Sequence, residues 1–251
     1  MILNLLYLYS DLPMNIKVGL LILQLFCVVM ALTVHEFAHG FTANKLGDPT
    51  ASYQGRLTLN PLAHIDPVGF LMMLLVGFGW AKPVPVNPRL MSKPKRDMAL
   101  TSLAGPAVNL LVALVSGIAV GALAQFGYTP DRMFEEAFIG GMSPLSVLSY
   151  TLYMMLLLNV GLALFNMIPI PPLDGSNILV ALLPNNTAAK YLQIRYYTRY
   201  IFGGLMLISV LANRSTLFAY LDYYIWLPLD WLRETICYGF MRLGEIIFSF
   251  V

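Results

Sequence analysis

Three long runs of apolar residues constrain this sequence more than any other feature, and they lie at 18–45, 98–126 and 146–168. Each run is longer than the about 20 residues that a helix needs to cross a bilayer. Only 11% of the chain is charged and 58% is hydrophobic, so a water-soluble fold would lack the polar side chains to cover its surface. The sequence therefore predicts an all-α, polytopic membrane protein with a three-helix core.

Shorter segments surround these three spans. The alternating residues at 51–60 predict a short strand or hairpin, and 65–80 is apolar but short, as in a re-entrant or weakly spanning segment. A short apolar piece follows at 177–183. We predict a further span at 200–212, and then two aromatic-rich segments that form either one span and one interfacial helix or two short spans.

The chain as a whole contains no long polar stretch that would form a separate soluble domain. We therefore expect a single domain over 1–251, with a core at about 16–183 and C-terminal spans at about 198–251. The net charge is +2 and no basic stripe is interleaved with aromatic residues, so nucleic acid is not an expected partner. Cys27 and Cys237 have no metal-ligand spacing, which argues against a disulfide scaffold or a thiolate zinc site.

The distribution of basic residues predicts the orientation in the membrane. Lys and Arg are enriched in short cytoplasmic loops. Five of them lie at 82–96 and three at 184–199, and neither loop contains an acidic residue. We therefore expect both loops in the cytoplasm and the acidic loop at 127–144 on the opposite face.

An H-E-x-x-H motif, formed by His35, Glu36 and His39, lies inside the first apolar run. On a helix, positions i and i+4 share one face, so both imidazoles can bind one ion while the glutamate acts on a water beside it. Such ligands suit zinc, which activates water for attack on a carbonyl. The alternative is a set of polar residues packed inside a helix bundle. Packing without a function is disfavoured, because ionisable groups within a membrane cost free energy and are usually functional.

A hydrolytic zinc usually has three protein ligands, so a third Asp, Glu or His is needed. Asp174 is the first candidate, because it follows the third span in a proline-broken segment and precedes Gly175, which allows a tight turn. An alternative role for Asp174 is to cap the short helix that follows it. His64 is the rival ligand, because it lies close to the first helix in sequence. Glu135 and Glu136 fall in the loop expected on the opposite face.

Two asparagines, Asn109 and Asn166, lie within predicted spans. An asparagine in a lipid-embedded helix often hydrogen-bonds a neighbouring helix. Its amide can instead donate to the oxyanion that develops during acyl transfer. Both roles are open for both residues, which makes them candidate catalytic residues.

Several of these residues stand in motifs that resemble the site-2 protease family of intramembrane zinc metalloproteases. The resemblance rests on H-E-F-A-H at 35–39, G-P-A-V-N at 105–109 and N-M-I-P-I-P-P-L-D-G at 166–175. The segment G-R-L-T-L-N-P-L-A-H-I-D-P at 55–67 is similar to the subgroup that lacks a PDZ domain. Together the motifs fall on all three predicted core helices and cover about residues 30–180.

The resemblance implies a function for several residues. They are the Zn2+ ligands His35, His39 and Asp174, the general base Glu36, and the site asparagines Asn109 and Asn166. It also implies hydrolysis of peptide bonds in or near transmembrane segments of membrane-protein substrates, with the lipid bilayer as the surroundings. We accordingly expect a multi-pass protein of a bacterial or archaeal cell membrane, with its zinc site toward the cytoplasmic side.

Two other functions are compatible with the same polar site. A metal- or ion-translocating protein also places polar groups on broken helices near the membrane midplane, but the internal repeat typical of transporters is not found in the sequence. A pseudoenzyme would bind membrane helices without cutting them, and the intact H-E-x-x-H motif argues against it. The sequence does not indicate an oligomeric state.

Overall fold

Helices make up most of the computed structural model, which describes residues 12–76, 79–139, 141–212 and 216–249. The helices in this part of the chain are α1 (Met14–Lys45), α2 (Thr50–Tyr53), α3 (Pro67–Val76), α4 (Pro94–Gln125), α5 (Arg132–Ile139), α6 (Pro144–Asn166), α7 (Gly175–Leu182), α8 (Asn185–Ala212) and α9 (Thr216–Phe248). Two 3-10 turns lie at Pro61–Ala63 and Pro88–Leu90. Over the same residues, β pairing is limited to an isolated antiparallel bridge between Ile65 and Ala81.

Three of these helices, α1, α4 and α6, are long and apolar enough to cross a membrane. Their ends lie within four residues of the predicted spans. The local signals explain the agreement at α6, which begins where the Ser143 hydroxyl accepts a hydrogen bond from the amide of Ser146. It ends just before the first of three prolines, at Pro169. The prediction of a three-helix membrane core is confirmed.

Helix α4 is central, because it contacts α1, α6, α7 and α9. Glycines allow a close approach between α4 and α9. A Cβ on Gly121 would lie 2.1 Å from the carbonyl oxygen of Met241, and one on Gly244 would lie 2.2 Å from that of Ile118. Small residues let helix backbones pack closely in membranes. Because α4 also contacts α1 and α6, it is the helix against which the other two spans pack.

The strand predicted at 51–60 is wrong. This segment contains α2 and a turn at Gly55, which has a φ of +64°. Asp48 turns the chain into α2, because its Oδ1 accepts hydrogen bonds from both the amide and the hydroxyl of Thr50. A strand needs a partner, and among the described residues no strand lies beside this segment. The segment predicted as re-entrant or weakly spanning contains α3, whose ten residues are too few to span a bilayer.

The C-terminal part contains more helix than predicted. The basic loop predicted at 184–199 is helical and belongs to α8, which continues through the predicted span at 200–212. Its Ala, Lys, Leu, Gln and Arg residues favour helix, and this propensity outweighs their polarity. The tail forms the single helix α9, with Pro228 inside it, instead of two segments. As far as these helices are described, neither is apolar enough to count as a span, so the C-terminal spans stay a prediction.

Candidate metal centre

The H-E-x-x-H motif occupies the C-terminal part of α1, which packs against α4. His35 and His39 are one helical turn apart and share a face, as their spacing requires. Their Nε2 atoms lie 3.0 Å from each other. Both side chains are largely buried, with 6% and 12% of their surfaces exposed. The two imidazoles therefore direct the same nitrogen toward one point.

Helix α4 fixes the orientation of both rings. Nδ1 of His35 lies 2.5 Å from Oδ1 of Asn109, and Nδ1 of His39 lies 2.7 Å from the carbonyl oxygen of Thr101. Both partners are acceptors, so each Nδ1 carries the proton and donates it. In a neutral imidazole the other nitrogen then has only a lone pair. Each Nε2 is therefore a lone-pair donor with the tautomer that a metal ligand needs.

Asp174 completes the group from the turn between α6 and α7. Its Oδ2 lies 3.2 Å from Nε2 of His35 and 3.3 Å from Nε2 of His39. The turn is tight because Gly175 abuts the preceding chain, where a Cβ would lie 2.2 Å from the carbonyl oxygen of Met167.

The predicted alternative role of Asp174 as a helix cap has no support in the geometry. Asp174 stands at the N-cap position of α7, but its side chain makes no capping hydrogen bond. Its Oδ2 is buried and has no hydrogen-bond partner within the described part of the chain. A buried carboxylate oxygen without a partner is costly, so this atom requires a cation or a donor.

The three ligand atoms fit zinc. They form a triangle with edges of 3.0, 3.2 and 3.3 Å. Ligands at about 2.0–2.1 Å from a tetrahedral zinc are about 3.3 Å apart. With both Nδ1 protons donated elsewhere, three lone pairs face one another, and a cation at their centre would satisfy all three. These residues also form the one group with metal-ligand geometry found among the described residues.

Gly105 makes room for the group where α4 passes the motif. A Cβ at this position would lie 2.5 Å from Nε2 of His39 and 2.6 Å from Cε1 of His35. Any larger residue would therefore collide with both rings. Pro106 follows it within α4 and removes a backbone donor from the same turn.

Glu36 is held from a different direction. Its Oε2 accepts a hydrogen bond of 2.8 Å from the backbone amide of Val84. Val84 belongs to an extended segment, residues 81–87, which we name the strap. The strap fixes one carboxylate oxygen of Glu36 and leaves the other without a bond to any described residue.

Hydrogen bonds hold the strap in place along its length. The Asn87 amide donates to Oδ2 of the buried Asp48 at 2.6 Å, and Arg56 donates to the carbonyl of Lys82 at 2.7 Å. The Lys82 amide donates to the carbonyl of His64 at 2.8 Å. Sequence reasoning identified 82–96 only as a basic loop. The signal it missed is the alternation K-P-V-P-V-N, since prolines at every second position keep a chain extended.

The two predicted asparagines differ in their contacts. Both amide hydrogens of Asn109 are engaged, with the carbonyl of Ala31 at 3.2 Å and Oδ1 of Asn159 at 2.6 Å. Asn109 therefore contacts the site through its acceptor oxygen alone. Asn166, at the end of α6, donates to the carbonyl of Leu162 at 3.0 Å and makes no contact with the three ligand atoms. Sequence reasoning missed Thr101, because a backbone acceptor has no residue signature.

His64, the rival for the third ligand, lies elsewhere. It is buried, and its Nε2 donates to the carbonyl of Thr58 at 2.8 Å. It is not part of the ligand group. Glu136, in α5, is paired with Arg132 at 2.9 Å and is also outside the group.

Comparisons with known proteins agree with this geometry. The model of peptidase family M50 matches residues 23–211. "Putative zinc metalloprotease YwhC" of Bacillus subtilis is 38% identical over 175 residues, which cover 70% of this chain and 75% of that protein. "Putative zinc metalloprotease Rip2" of Mycolicibacterium smegmatis is 32% identical over 170 residues, 64% of this chain and 58% of that protein. No solved structure matches.

The names of these relatives and the His35–His39–Asp174 group both point to zinc as the cofactor. The family match covers most of the chain, including most of α1, all of α4 and α6, and the complete ligand group. The chain is therefore a membrane protein that belongs to peptidase family M50, the site-2 protease family.

Proposed function

We propose that this protein is a zinc-dependent endopeptidase that hydrolyses peptide bonds in or near the transmembrane segments of membrane-protein substrates. The observation that carries the proposal is the convergence of three lone-pair donors, Nε2 of His35, Nε2 of His39 and Oδ2 of Asp174, within 3.3 Å of one another. Their position on and beside helices that are long and apolar enough to cross a membrane supports cleavage in or near a substrate's transmembrane segment.

Zinc held by these three residues would act as a Lewis acid toward the scissile carbonyl and would lower the pKa of the attacking water. Glu36 takes the proton from that water and passes it to the leaving amine. The Val84 amide holds one oxygen of Glu36, so the other oxygen is the proton acceptor. The carboxylate is thereby fixed in direction before a substrate arrives, which lowers the entropy cost of reaching the reactive geometry.

The two asparagines have separate roles in this proposal. Asn109 is a positioning residue, because it holds the Nδ1 proton of His35 and has no free amide hydrogen to give to an oxyanion. Asn166 uses one amide hydrogen for Leu162 and keeps a second one, so it is the candidate oxyanion donor.

A helical substrate hides its carbonyls in i→i−4 hydrogen bonds and must unwind before attack. The strap is an extended chain beside Glu36, and an unwound substrate can pair with such an edge. The Val86 amide makes no hydrogen bond to any described residue and so remains available to a substrate carbonyl. The strap is therefore the segment that we propose pairs with an unwound substrate.

We also propose that the protein lies in a bacterial or archaeal cell membrane with the zinc site toward the cytoplasm. Helix α4 has 32 residues and is about 48 Å long, enough to cross a bilayer and extend beyond it. Its ends carry the basic loop with Lys93 and the acidic loop with Glu135. Single cysteines at these two exposed positions should react with an impermeant reagent from opposite sides. Labelling from the same side would exclude this topology.

The decisive experiment separates metal binding from chemistry. Glu36→Gln keeps the size of the side chain and removes the proton acceptor, while the three ligands stay intact. We expect wild-type zinc content and a loss of about 10²–10⁴-fold in cleavage of a model transmembrane substrate. Glu135→Gln, at an exposed glutamate on the acidic loop, is the matched control and should behave as wild type.

The same variant discriminates between the proposed enzyme and a metal or ion transporter. A transport pathway needs polar groups but no general base, so an amide at position 36 would leave transport largely intact. Zinc retention with near wild-type cleavage in Glu36→Gln would rule out the proposed mechanism.

A further inference from the structure

A groove of about 550 Å³ lies between the start of α4 and α7, on the side of α4 away from the imidazoles. Its two ends differ in chemistry. Lys93, Lys95 and Arg96 line one end, and the rest is lined by apolar side chains, namely Ala99, Leu100, Leu103, Ile178, Ala181 and Leu182. No carboxylate lines the groove. Its shape and charge are therefore those of a site for an amphiphile with an anionic head.

The positive charge at this end is largely uncompensated. Lys93 is exposed and has no carboxylate within ion-pair distance among the described residues. Lys95 is held by neutral acceptors, with its Nζ 2.5 Å from the carbonyl of Leu183 and 3.2 Å from Oδ1 of Asn185. Only Arg96 is neutralised, by Asp97 at 2.8 Å. An anion at this end would therefore meet two amines that form no ion pair, although the carboxylate of Asp97 also lies near Lys93.

The whole groove, including its basic end, has about the length of half a bilayer, and its apolar lining on α4, from Ala99 to Leu103, covers about 6 Å of this length. Residues 93 to 103 of the chain cover about 15 Å along the axis of α4, and one leaflet of hydrocarbon is also about 15 Å thick. Leu100 and Leu103 are 43% and 41% exposed, and Leu182 on α7 is 79% exposed. These leucines need an apolar cover, which an acyl chain supplies.

We propose that this groove binds one anionic phospholipid, with the phosphate at Lys93 and Lys95 and an acyl chain along the leucines. The proposal goes beyond the peptidase function and rests on the cytoplasmic placement of the start of α4. It favours lipid over a substrate helix because the cytoplasmic ends of transmembrane segments are rich in Lys and Arg, which these cations repel. The lipid would bridge α4 and α7, the helix that begins directly after Asp174.

The test is a titration of the full-length protein in phosphatidylcholine nanodiscs with phosphatidylglycerol, counting bound lipid by native mass spectrometry. We expect one saturable phosphatidylglycerol site that excess phosphatidylcholine does not fill. Lys93→Glu changes the local charge by two units and should weaken binding about 30-fold, given the effect of each basic residue near an anionic membrane. Lys82→Glu makes the same change at another exposed lysine of the same loop and should leave binding unchanged.

Three results would overturn the proposal. Equal losses in Lys93→Glu and Lys82→Glu would mean diffuse attraction to the net charge of the loop. Equal binding of phosphatidylcholine would mean an apolar groove without headgroup recognition. Displacement of the lipid by a transmembrane peptide with a basic end would identify the groove as a substrate site. Lys93→Gln removes one unit of charge instead of two and should give an intermediate affinity. This graded loss would show that the charge, and not misfolding, weakens binding.

Discussion

Replacing Gly105 by alanine tests whether the close approach of α4 keeps the metal ligands in place. The added Cβ would lie 2.5 Å from Nε2 of His39 and 2.6 Å from Cε1 of His35, whereas ordinary contact begins at 3.4 Å. The rings would have to move by about 0.9 Å, the difference between these distances, to relieve the overlap. Zinc ligands tolerate displacements of about 0.2 Å, and a misplacement of about 1 Å costs on the order of 100-fold in rate.

We therefore expect Gly105→Ala to lower zinc affinity about tenfold or more and cleavage about 100-fold. Zinc content and the rate of zinc loss to a chelator measure the first effect, and cleavage of a model substrate measures the second. Overpacking should cost about 1–3 kcal/mol of stability, which a thermal unfolding curve detects. Gly19→Ala in α1 is the control, because nothing lies within 4 Å of its Cβ. Unchanged zinc affinity and cleavage in Gly105→Ala would refute this account of the site.

Three further predictions follow from the same contacts. Val84→Pro deletes the amide that holds Glu36, so cleavage should fall about 10- to 100-fold, as for loss of a hydrogen bond to a charged group, while zinc content stays normal. Asn109→Ala frees the ring of His35, and chelator competition should show zinc affinity reduced about 10- to 100-fold. Removal of the metal by a chelator should abolish cleavage, and added zinc should restore it.

Each of these predictions has an internal control. Val84→Ala also removes the valine side chain, but it keeps the backbone amide that holds Glu36, so Glu36 should stay in place. If Val84→Ala and Val84→Pro lose the same activity, the hydrogen bond to Glu36 is not the cause. A normal zinc affinity in Asn109→Ala would mean that the ring of His35 needs no partner at Nδ1. Restoration by magnesium alone would argue against a site built for zinc.

The parts of the structure that sequence reasoning predicted depend on local signals. A span is visible because the bilayer sets a length of about 20 apolar residues, and α1, α4 and α6 meet it without help from distant residues. The pairing of His35 with His39 follows from the helical repeat alone. The ligand role of Asp174 could be predicted because the prolines before it must end α6, so the chain has to turn there.

The errors arose where one local signal competed with another. Alternation at 51–60 suggested a strand, but the Asp48 side chain starts a helical turn at Thr50. Polarity at 184–199 suggested a loop, but the residues there are strong helix formers and α8 continues through them. In both cases hydrogen bonding within the chain outweighed a pattern of hydrophobicity that was too short to decide.

The orientation of the site was not predictable from the sequence, because backbone atoms provide much of it. The carbonyl of Thr101 fixes His39, and the amide of Val84 fixes Glu36. Any residue other than proline supplies both groups, so no residue type at 84 or 101 reveals the contact. The sequence does show two requirements of these contacts. Gly105 provides the space that the rings need, and Pro83 and Pro85 keep the strap extended. The metal ligands can thus be identified from their side-chain types, while the orientation of these side chains depends on how closely α4 and the strap approach α1.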